Sequence, residues 1–265
     1  MFRAGFTEPF TSQQAMSKAR VVATVEARMG STRLPGKTMA SLLGKPLLYR
    51  VLERIRQART VKEVMVATSV NPADDVIASW CEREGFACHR GSEDNVLERV
   101  VEAARTRKAT VVVQLGADCP LYDHELIDEL VGIFLANDYD YVANDMKLTY
   151  PEGIDAHVIS MAALEEAVTH AKDPRQLEDV PRYIWDHPER FSIFNLEAPA
   201  ELYFPDLRVT VDYPEDLELV ERIYAVLYPQ DLHFRTKDII AFVRRHPHLL
   251  QINAHCEQRS AAYLR

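Results

Sequence analysis

Several features that define specialised protein classes are scarce or absent in this sequence. Only four of its 265 residues are cysteine, and they form neither a Cys-x-x-Cys pair nor a Cys/His pair at zinc spacing. No apolar run approaches the roughly 18 residues that a membrane-spanning helix needs. The first residues contain neither the basic nor the apolar segment of a secretory signal. We therefore expect reduced thiols and a cytoplasmic protein with no membrane association.

Positive charge is also in short supply. The chain has 31 lysines and arginines against 40 acidic residues, a formal net charge of −9. A general nucleic-acid binder carries a basic face, so we do not expect nucleic acid as a partner. An acidic chain can still bind a nucleotide if basic residues are concentrated locally and a divalent metal bridges the remaining negative charge.

Short apolar segments alternate with amphipathic ones along the first half of the chain. Strands are predicted at 21–25, 64–68, 85–88 and 110–115, and helices at 46–56, 72–84, 95–107 and 123–135. The strand at 110–115 is continuously apolar and rich in valine, which is typical of a strand covered on both faces. The alternation predicts an α/β fold with a doubly wound, mostly parallel sheet.

The second half of the chain has a looser pattern. Helices are predicted at 162–170, 174–186 and 214–227, and strands at 191–196 and 208–212. No internal repeat and no Gly/Ser linker divides the chain. We interpret residues 19–250 as a single domain, residues 1–18 as a disordered leader, and residues 251–265 as a C-terminal tail.

A loop after the first strand concentrates the basic charge that the rest of the chain lacks. Arg28, Arg33 and Lys37 lie within ten residues, directly after a strand end, where α/β folds bind ligands. The small residues Gly30 and Ser31 let backbone amides approach an anion closely. A solvated basic turn is the alternative interpretation. The combination of small residues and cations after a buried strand favours phosphate binding.

The same loop does not fit the Walker A motif of ATPases and kinases. That motif has four residues between its glycines, whereas five separate Gly30 from Gly36. Pro35 also has no N–H to donate to a phosphate. The phosphates must therefore be bound in another way.

The loop Ala27-Arg-Met-Gly-Ser-Thr-Arg-Leu-Pro-Gly-Lys37 resembles the signature of cytidylyltransferases that activate acidic sugars, such as 3-deoxy-manno-octulosonate and sialic acid. It is more similar still to the SpsF family of spore coat polysaccharide biosynthesis proteins. Further matches follow in order at 91–99, 118–121, 150–155, 187–191 and 210–216. The resemblance implies a nucleotide-diphospho-sugar transferase fold of the GT-A type. It also implies that CTP and a small anionic acceptor give a CMP-linked product and pyrophosphate.

The resemblance further implies a nucleotide site on the loop and the central strand. Its members would be Ala27, Arg28, Met29, Gly30, Ser31, Arg33, Lys37, Gln114 and Asp118. Lys37 and Arg28 are candidates for stabilising charge on the α,β-bridging oxygen, and Asp118 completes the catalytic set. Gln114 could bind the base or simply lie on the sheet.

Two aspartates are candidates for binding magnesium. Asp118 and Asp212 each follow a predicted strand, and Mg²⁺ prefers one or two carboxylates with water and phosphate oxygens. The resemblance assigns both to the catalytic metal. Each could instead cap a following helix, and Glu215 or Asp216 could replace Asp212 as a ligand.

The acceptor side is less defined. By resemblance, residues 140–205 cover the acceptor and offer a candidate homodimer interface, and the acceptor-binding residues would be Tyr150, Asp155, His157 and Glu178. Three positions depart from the SpsF pattern: His157 stands where glutamate is common, Asp179 where histidine is common, and Glu26 where glutamine is common. These departures leave the acceptor open, and His157 could instead be a histidine satisfied at a strand edge.

Two other functions could use similar residues. The first is a glycosyltransferase, which would use a preformed nucleotide sugar. An Asp-x-Asp carboxylate pair would favour this function, and the chain offers only Asp138 and Asp140. A non-catalytic nucleotide-binding partner would not need Lys37, Asp118 and Asp212 together. Pyrophosphate release from a triphosphate separates the transferase from both.

Overall fold

The computed structural model describes residues 19–257, so the predicted leader and the last eight residues of the predicted tail lie outside the described residues. The strands are β1 (Val21–Glu26), β2 (Ser41–Leu42), β3 (Lys45–Pro46), β4 (Glu63–Ser69), β5 (Ala87–Gly91), β6 (Val111–Gly116), β7 (Tyr141–Ala143), β8 (His157–Ser160) and β9 (Ile193–Asn195). The short strands β2 and β3 form a separate hairpin.

The helices alternate with these strands along the chain. They are α1 (Leu47–Ile55), α2 (Asp75–Glu84), α3 (Val96–Thr106), α4 (His124–Ala136), α5 (Met161–His170), α6 (Pro174–Glu178), α7 (Arg182–Asp186), α8 (Pro214–Leu227) and α9 (Thr236–Arg245). Single 3₁₀ turns occupy Lys37–Met39, Pro72–Asp74 and Pro247–Gln251. Within residues 19–257, none of the helices combines the length and apolarity needed to cross a bilayer.

Seven strands form one twisted sheet in the order β5-β4-β1-β6-β8-β7-β9. The first four are mutually parallel, β8 runs antiparallel to both β6 and β7, and β9 is parallel to β7. This arrangement confirms the predicted mostly parallel sheet. The carboxyl ends of β1 and β6 meet at one edge, which is where α/β sheets bind ligands.

Both faces of the sheet are covered, as the doubly wound interpretation requires. Val21, Ala23 and Val25 of β1 face an apolar cluster shared with α1, α4, α8 and α9. Val22, on the opposite face, packs in a second cluster with α3 and α5. Each fully buried aliphatic side chain of this kind contributes about 1.5–3 kcal/mol. The two clusters hold the sheet edge rigidly in place.

Three details differ from the sequence-based prediction. Residues 208–212 form no sheet strand: a single bridge joins Arg208 to Glu152, because the neighbours of this segment are loops. The predicted helix 174–186 is two short helices, since Pro181 has no N–H to continue the ladder. Strand β7, the β2–β3 hairpin and helix α9 were not anticipated.

Gly153 allows two backbone segments to approach closely beside the sheet edge. Its φ is +96°, and a Cβ atom there would lie 2.4 Å from the backbone nitrogen of Thr210. At the preceding residue, Glu152 N donates to Leu207 O and Val209 N donates to Glu152 O. The glycine therefore lets the loop around residue 153 align the segment that ends at Asp212.

We expect Gly153→Ala to lower the free energy of unfolding by about 2–4 kcal/mol, because positive-φ strain and the backbone clash add. Gly44→Ala is the matched control: its φ is +73°, but a Cβ would meet nothing within 4 Å. It should cost about 1–2 kcal/mol, the positive-φ strain alone. Urea unfolding of both variants measures the difference. Equal losses would show that the close backbone approach at Gly153 adds nothing to the destabilisation by alanine.

Candidate functional site

The basic loop closes on itself after β1. Ser31 N and Gly36 N both donate to the carbonyl oxygen of Met29, at 2.9 and 3.2 Å. Gly36 adopts φ +75° and starts the 3₁₀ turn that contains Lys37. Thr38 Oγ1 donates to Arg28 O at 2.7 Å, which fastens the end of the loop to its beginning. The turn therefore points Lys37 across the sheet edge.

Lys37 lies between two carboxylates. Its Nζ donates to Asp118 Oδ2 and Asp212 Oδ1, both at 2.8 Å, and to Val211 O at 2.9 Å. The side chain is only 11% exposed. Burial alone would lower the pKa of Lys37, but Asp118 and Asp212 raise it above its ordinary value, so the ammonium is charged. Three of the four residues predicted as catalytic or metal-binding, Lys37, Asp118 and Asp212, thus meet at one point, whereas Arg28 instead pairs with Glu178 at 3.4 Å.

Asp212 is the most heavily paired residue of this group. Oδ1 receives Lys37 and also Arg33 Nη2 at 2.6 Å, while Oδ2 receives Arg208 Nη2 at 2.8 Å. Burial would raise its pKa, yet Lys37, Arg208 and Arg33 hold the pKa below the ordinary value. The carboxylate is therefore ionised at neutral pH. The backbone bond from Val211 N to Asp118 O, 2.8 Å long, holds the two aspartates together.

Neither aspartate serves as a helix cap, which was the alternative interpretation. Helix α4 is capped by Asp123, and α8 begins after Tyr213. Asp216 is not free to replace Asp212, because its oxygens receive Arg208 and the backbone nitrogens of Asp212 and Tyr213.

A buried arginine, Arg208, forms ion pairs with carboxylates of the site. Arg208 is only 8% exposed and pairs with Asp212, with Asp216 at 3.0 Å, and with Glu152 at 3.2 Å. Asn253 Nδ2 donates to both Arg208 O and Asp216 Oδ1, which ties the start of the C-terminal segment to the same network. The sequence offered no signal for Arg208, because a lone arginine near a strand end has no characteristic spacing.

The loop forms one wall of a first cavity of about 250 Å³. Six predicted nucleotide-binding residues besides Asp118 line it: Ala27, Arg28, Gly30, Ser31, Arg33 and Lys37. Met29 is not among the lining residues; its backbone N–H donates to Asp74 Oδ1 at 2.7 Å and so holds the loop. Gln114 also lies elsewhere, in the second cavity described below.

Two charged residues that line the first cavity were not predicted as site residues. Glu26 ends β1, and burial raises its pKa to about 7 despite the nearby Arg99 and a hydrogen bond from Gln114. Arg99, on α3, lines the same wall and is 2% exposed. Arg99 lies in the segment 91–99 that resembles the family, and this was the only indication of it in the sequence. Its chemical role could not be inferred from the spacing of residues in that segment.

A second cavity of about 520 Å³ lies on the other side of the same edge. It shares four lining residues with the first cavity: Arg33, Gly116, Asp118 and Asp212. A phosphoryl group bound at this boundary would face both cavities. The geometry therefore suits transfer of a group between two substrates.

The four predicted acceptor residues fall in different places. Asp155 and His157 line the second cavity. Glu178 instead lines the first cavity, where it pairs with Arg28 at 3.4 Å. Tyr150 is 1% exposed and packs in the apolar core, outside both cavity walls. Asp145, Asp179 and Trp185 complete the second cavity near His157.

His157 is held by polar partners on β7 and the following loop. Tyr141 OH contacts its Nδ1 at 2.5 Å, and Asp145 Oδ2 lies 3.3 Å from its Nε2. Burial would lower its pKa, but Asp145, Asp155 and Asp179 raise it to about 9. The imidazole is therefore cationic at neutral pH, within a group of carboxylates.

The comparison with known proteins agrees with this geometry. A family profile described as "Cytidylyltransferase" matches residues 22–239. An uncharacterised protein of Methanocaldococcus jannaschii is 31% identical over 241 residues, covering 91% of this chain and 97% of that protein. The spore coat polysaccharide biosynthesis protein SpsF of Bacillus subtilis is 34% identical over 207 residues, covering 76% of this chain and 84% of SpsF.

A solved structure gives the same result. The structure of a cytidylyltransferase from Leptospira borgpetersenii superposes with a TM-score of 0.82 at 29% identity, covering 88% of this chain and 97% of that one. These matches confirm the resemblance to SpsF that the loop carries. With a matching profile over most of its length, the chain belongs to the cytidylyltransferase family of enzymes.

Proposed function

We propose that the protein transfers a cytidylyl group from CTP to a small acidic sugar and releases pyrophosphate, in the synthesis of a nucleotide-activated sugar for a polysaccharide. The observation that carries this proposal is the boundary of the two cavities, where Asp118, Asp212 and Arg33 face both. The family supplies the cytidylyl donor, and the similarity to SpsF supports a polysaccharide precursor as product.

The residues at the boundary fit a divalent cation, for which we propose Mg²⁺. Asp118 Oδ2 and Asp212 Oδ1 both bind one ammonium nitrogen, so their oxygens surround a common point. Hard carboxylate oxygens in this number suit Mg²⁺, which completes its coordination with water and phosphate. When bound, the cation neutralises phosphate charge and makes the α-phosphorus more open to attack.

The basic side chains of the loop would bind the triphosphate. Lys37, Arg28 and Arg33 lie on the wall of the first cavity and would bind the triphosphate oxygens. In the structure the ammonium of Lys37 is held by Asp118 and Asp212, and a divalent cation bound to those carboxylates would release it to contact the phosphates. Its charge then stabilises the bridging oxygen as pyrophosphate leaves.

The glycosyltransferase alternative receives no support from the Asp-x-Asp pair. Asp140 Oδ2 accepts a hydrogen bond from Ser192 N at 3.0 Å, at the turn before β7. Neither Asp138 nor Asp140 lines either cavity. Asp140 therefore supports the fold, and Asp138 is exposed away from both cavities.

Pyrophosphate release tests the proposal. We expect release from CTP, and not from ATP, GTP or UTP, when Mg²⁺ and an acceptor are present. The acceptor panel comprises 2-keto-3-deoxy sugar acids, hexose phosphates and phosphonates, with the sugar acids expected to react. Asp118→Asn should abolish release. No release from CTP with any acceptor would contradict the proposal, and turnover of a preformed nucleotide sugar without a triphosphate would favour a glycosyltransferase.

A further inference from the structure

The second cavity presents hydrogen-bond acceptors that the protein leaves unsatisfied. Three of its lining side chains carry a buried oxygen without a hydrogen-bond partner among the described residues: Gln114 Oε1, Asp145 Oδ1 and Asp155 Oδ1. Leaving a buried polar atom unpaired costs about 1–3 kcal/mol. A ligand that brings N–H or O–H groups to these atoms recovers that energy.

The strand register places these residues on neighbouring strands. Gln114 of β6 lies opposite His157 of β8, and His157 lies opposite Ala143 of β7. Asp155 precedes His157 by two residues, and Asp145 follows Ala143 by two residues. All of them therefore lie near one end of three adjacent strands, on the wall of one cavity.

The charged lining of this cavity is mostly acidic. Two of its carboxylates, Asp118 and Asp212, are assigned above to a divalent cation. Four others remain: Asp145, Glu152, Asp155 and Asp179. Glu152 is paired with Arg208, which does not line the cavity, so Asp145, Asp155 and Asp179 remain against the two lining cations, Arg33 and His157. The lining therefore has no surplus of positive charge to attract an acceptor that is only anionic.

Asp155 changes its protonation state with what binds beside it. Burial and the neighbouring Asp145 raise its pKa to about 8, although Gly153 N donates to its Oδ2 at 3.2 Å. Without a ligand the carboxyl therefore holds a proton at neutral pH and carries no charge. A cation bound beside it would favour the ionised form, in which Oδ1 accepts hydrogen bonds.

We propose that the acceptor is an acidic sugar bearing a free amino group, whose ammonium binds at Asp145 and Asp155 while its carboxylate lies toward Arg33. The inference rests on the proposed cytidylyl transfer and narrows its substrate class. An ammonium offers three donors and a positive charge, which match the unsatisfied oxygens and the acidic lining. Arg33 faces both cavities, and the five N–H donors of its guanidinium allow it to contact the acceptor carboxylate as well as the triphosphate.

The test compares matched acceptors. Sets of 2-keto-3-deoxy sugar acids would carry a hydroxyl, a primary amine or an acetamido group at the same carbon, with each carbon of the side chain examined in turn. Pyrophosphate release from CTP gives kcat/KM for each acceptor. We expect one amine to exceed its hydroxyl and acetamido partners by about tenfold or more, because hydrogen bonds between an ammonium and a carboxylate are roughly twice as strong as neutral ones.

A pair of variants assigns the preference to the cavity. Asp155→Asn keeps the shape and removes the charge, so the ratio of amine to hydroxyl efficiency should fall toward one. Asp138→Asn, an exposed aspartate outside both cavities, should leave the ratio unchanged. Release with equal efficiency for all three groups, or an unaltered ratio in Asp155→Asn, would overturn the amino-sugar inference alone. No release with any acceptor would instead overturn the cytidylyl transfer, and the inference with it.

Discussion

Replacing Lys37 by alanine is expected to lower kcat by a hundredfold or more. The ammonium lies on the wall of the first cavity and contacts Asp118 and Asp212, which line both cavities. In the proposed reaction it stabilises charge that develops on the leaving pyrophosphate, an interaction stronger in the transition state than in the ground state. Loss of one such donor typically costs about 10²–10³ in kcat. KM for CTP should change less than kcat does.

Steady-state pyrophosphate release at saturating Mg²⁺ and CTP measures this effect. Lys45→Ala is the matched control, because Lys45 is an exposed lysine on the β2–β3 hairpin, beside Tyr49 and outside both cavities. It should retain wild-type turnover. Thermal melting of both variants shows whether the fold is intact. A folded Lys37→Ala protein with near wild-type kcat would remove Lys37 from the chemistry.

Replacing Arg208 by leucine is expected to lower the free energy of unfolding by about 3–5 kcal/mol. The substitution removes the arginine that pairs with Asp216, which is 0% exposed, and one of the three cations that contact Asp212. Removing one partner of a buried ion pair costs this much because the charge of Asp216 is then uncompensated in a poorly solvated place. Glu152 would lose its 3.2 Å partner as well.

Urea denaturation measures the loss, and Arg222→Leu is its control. Arg222 pairs with Glu218 one turn away on α8, with a side chain that is 55% exposed. An exposed pair of this kind contributes at most about 1 kcal/mol. If the Arg208 variant lost no more stability than the Arg222 variant, the network around Asp212 would not be a stabilising element of the fold.

The sequence allowed the sheet and the basic loop to be predicted because both depend on local patterns. Apolar runs of valine identified β1 and β6, and the carboxyl ends of parallel strands must share one edge. Lys37 and Asp118 follow those two strands, so their meeting could be anticipated from topology alone.

Other parts of the site depend on contacts that leave no periodic signal. Asp212 reaches Asp118 through the backbone bond from Val211 N, and not through a sheet strand. Gln114 and Glu178 lie on the opposite cavities from those expected, because side-chain direction at the end of a strand or short helix depends on tertiary packing. Tyr150 was expected at the acceptor, yet its ring is buried in the core.

The two cavities are built from different parts of the chain, and the antiparallel strand β8 lies in the later part. Most of the first cavity comes from residues before 119, whereas much of the second comes from residues 145–185 on β8 and the loops around it. Apart from Glu178, which pairs with Arg28, positions in the later segment can change without disturbing the loop proposed to bind the nucleotide. This division offers a route for evolution, or for a protein engineer, to change which sugar is activated while the donor and its chemistry stay the same.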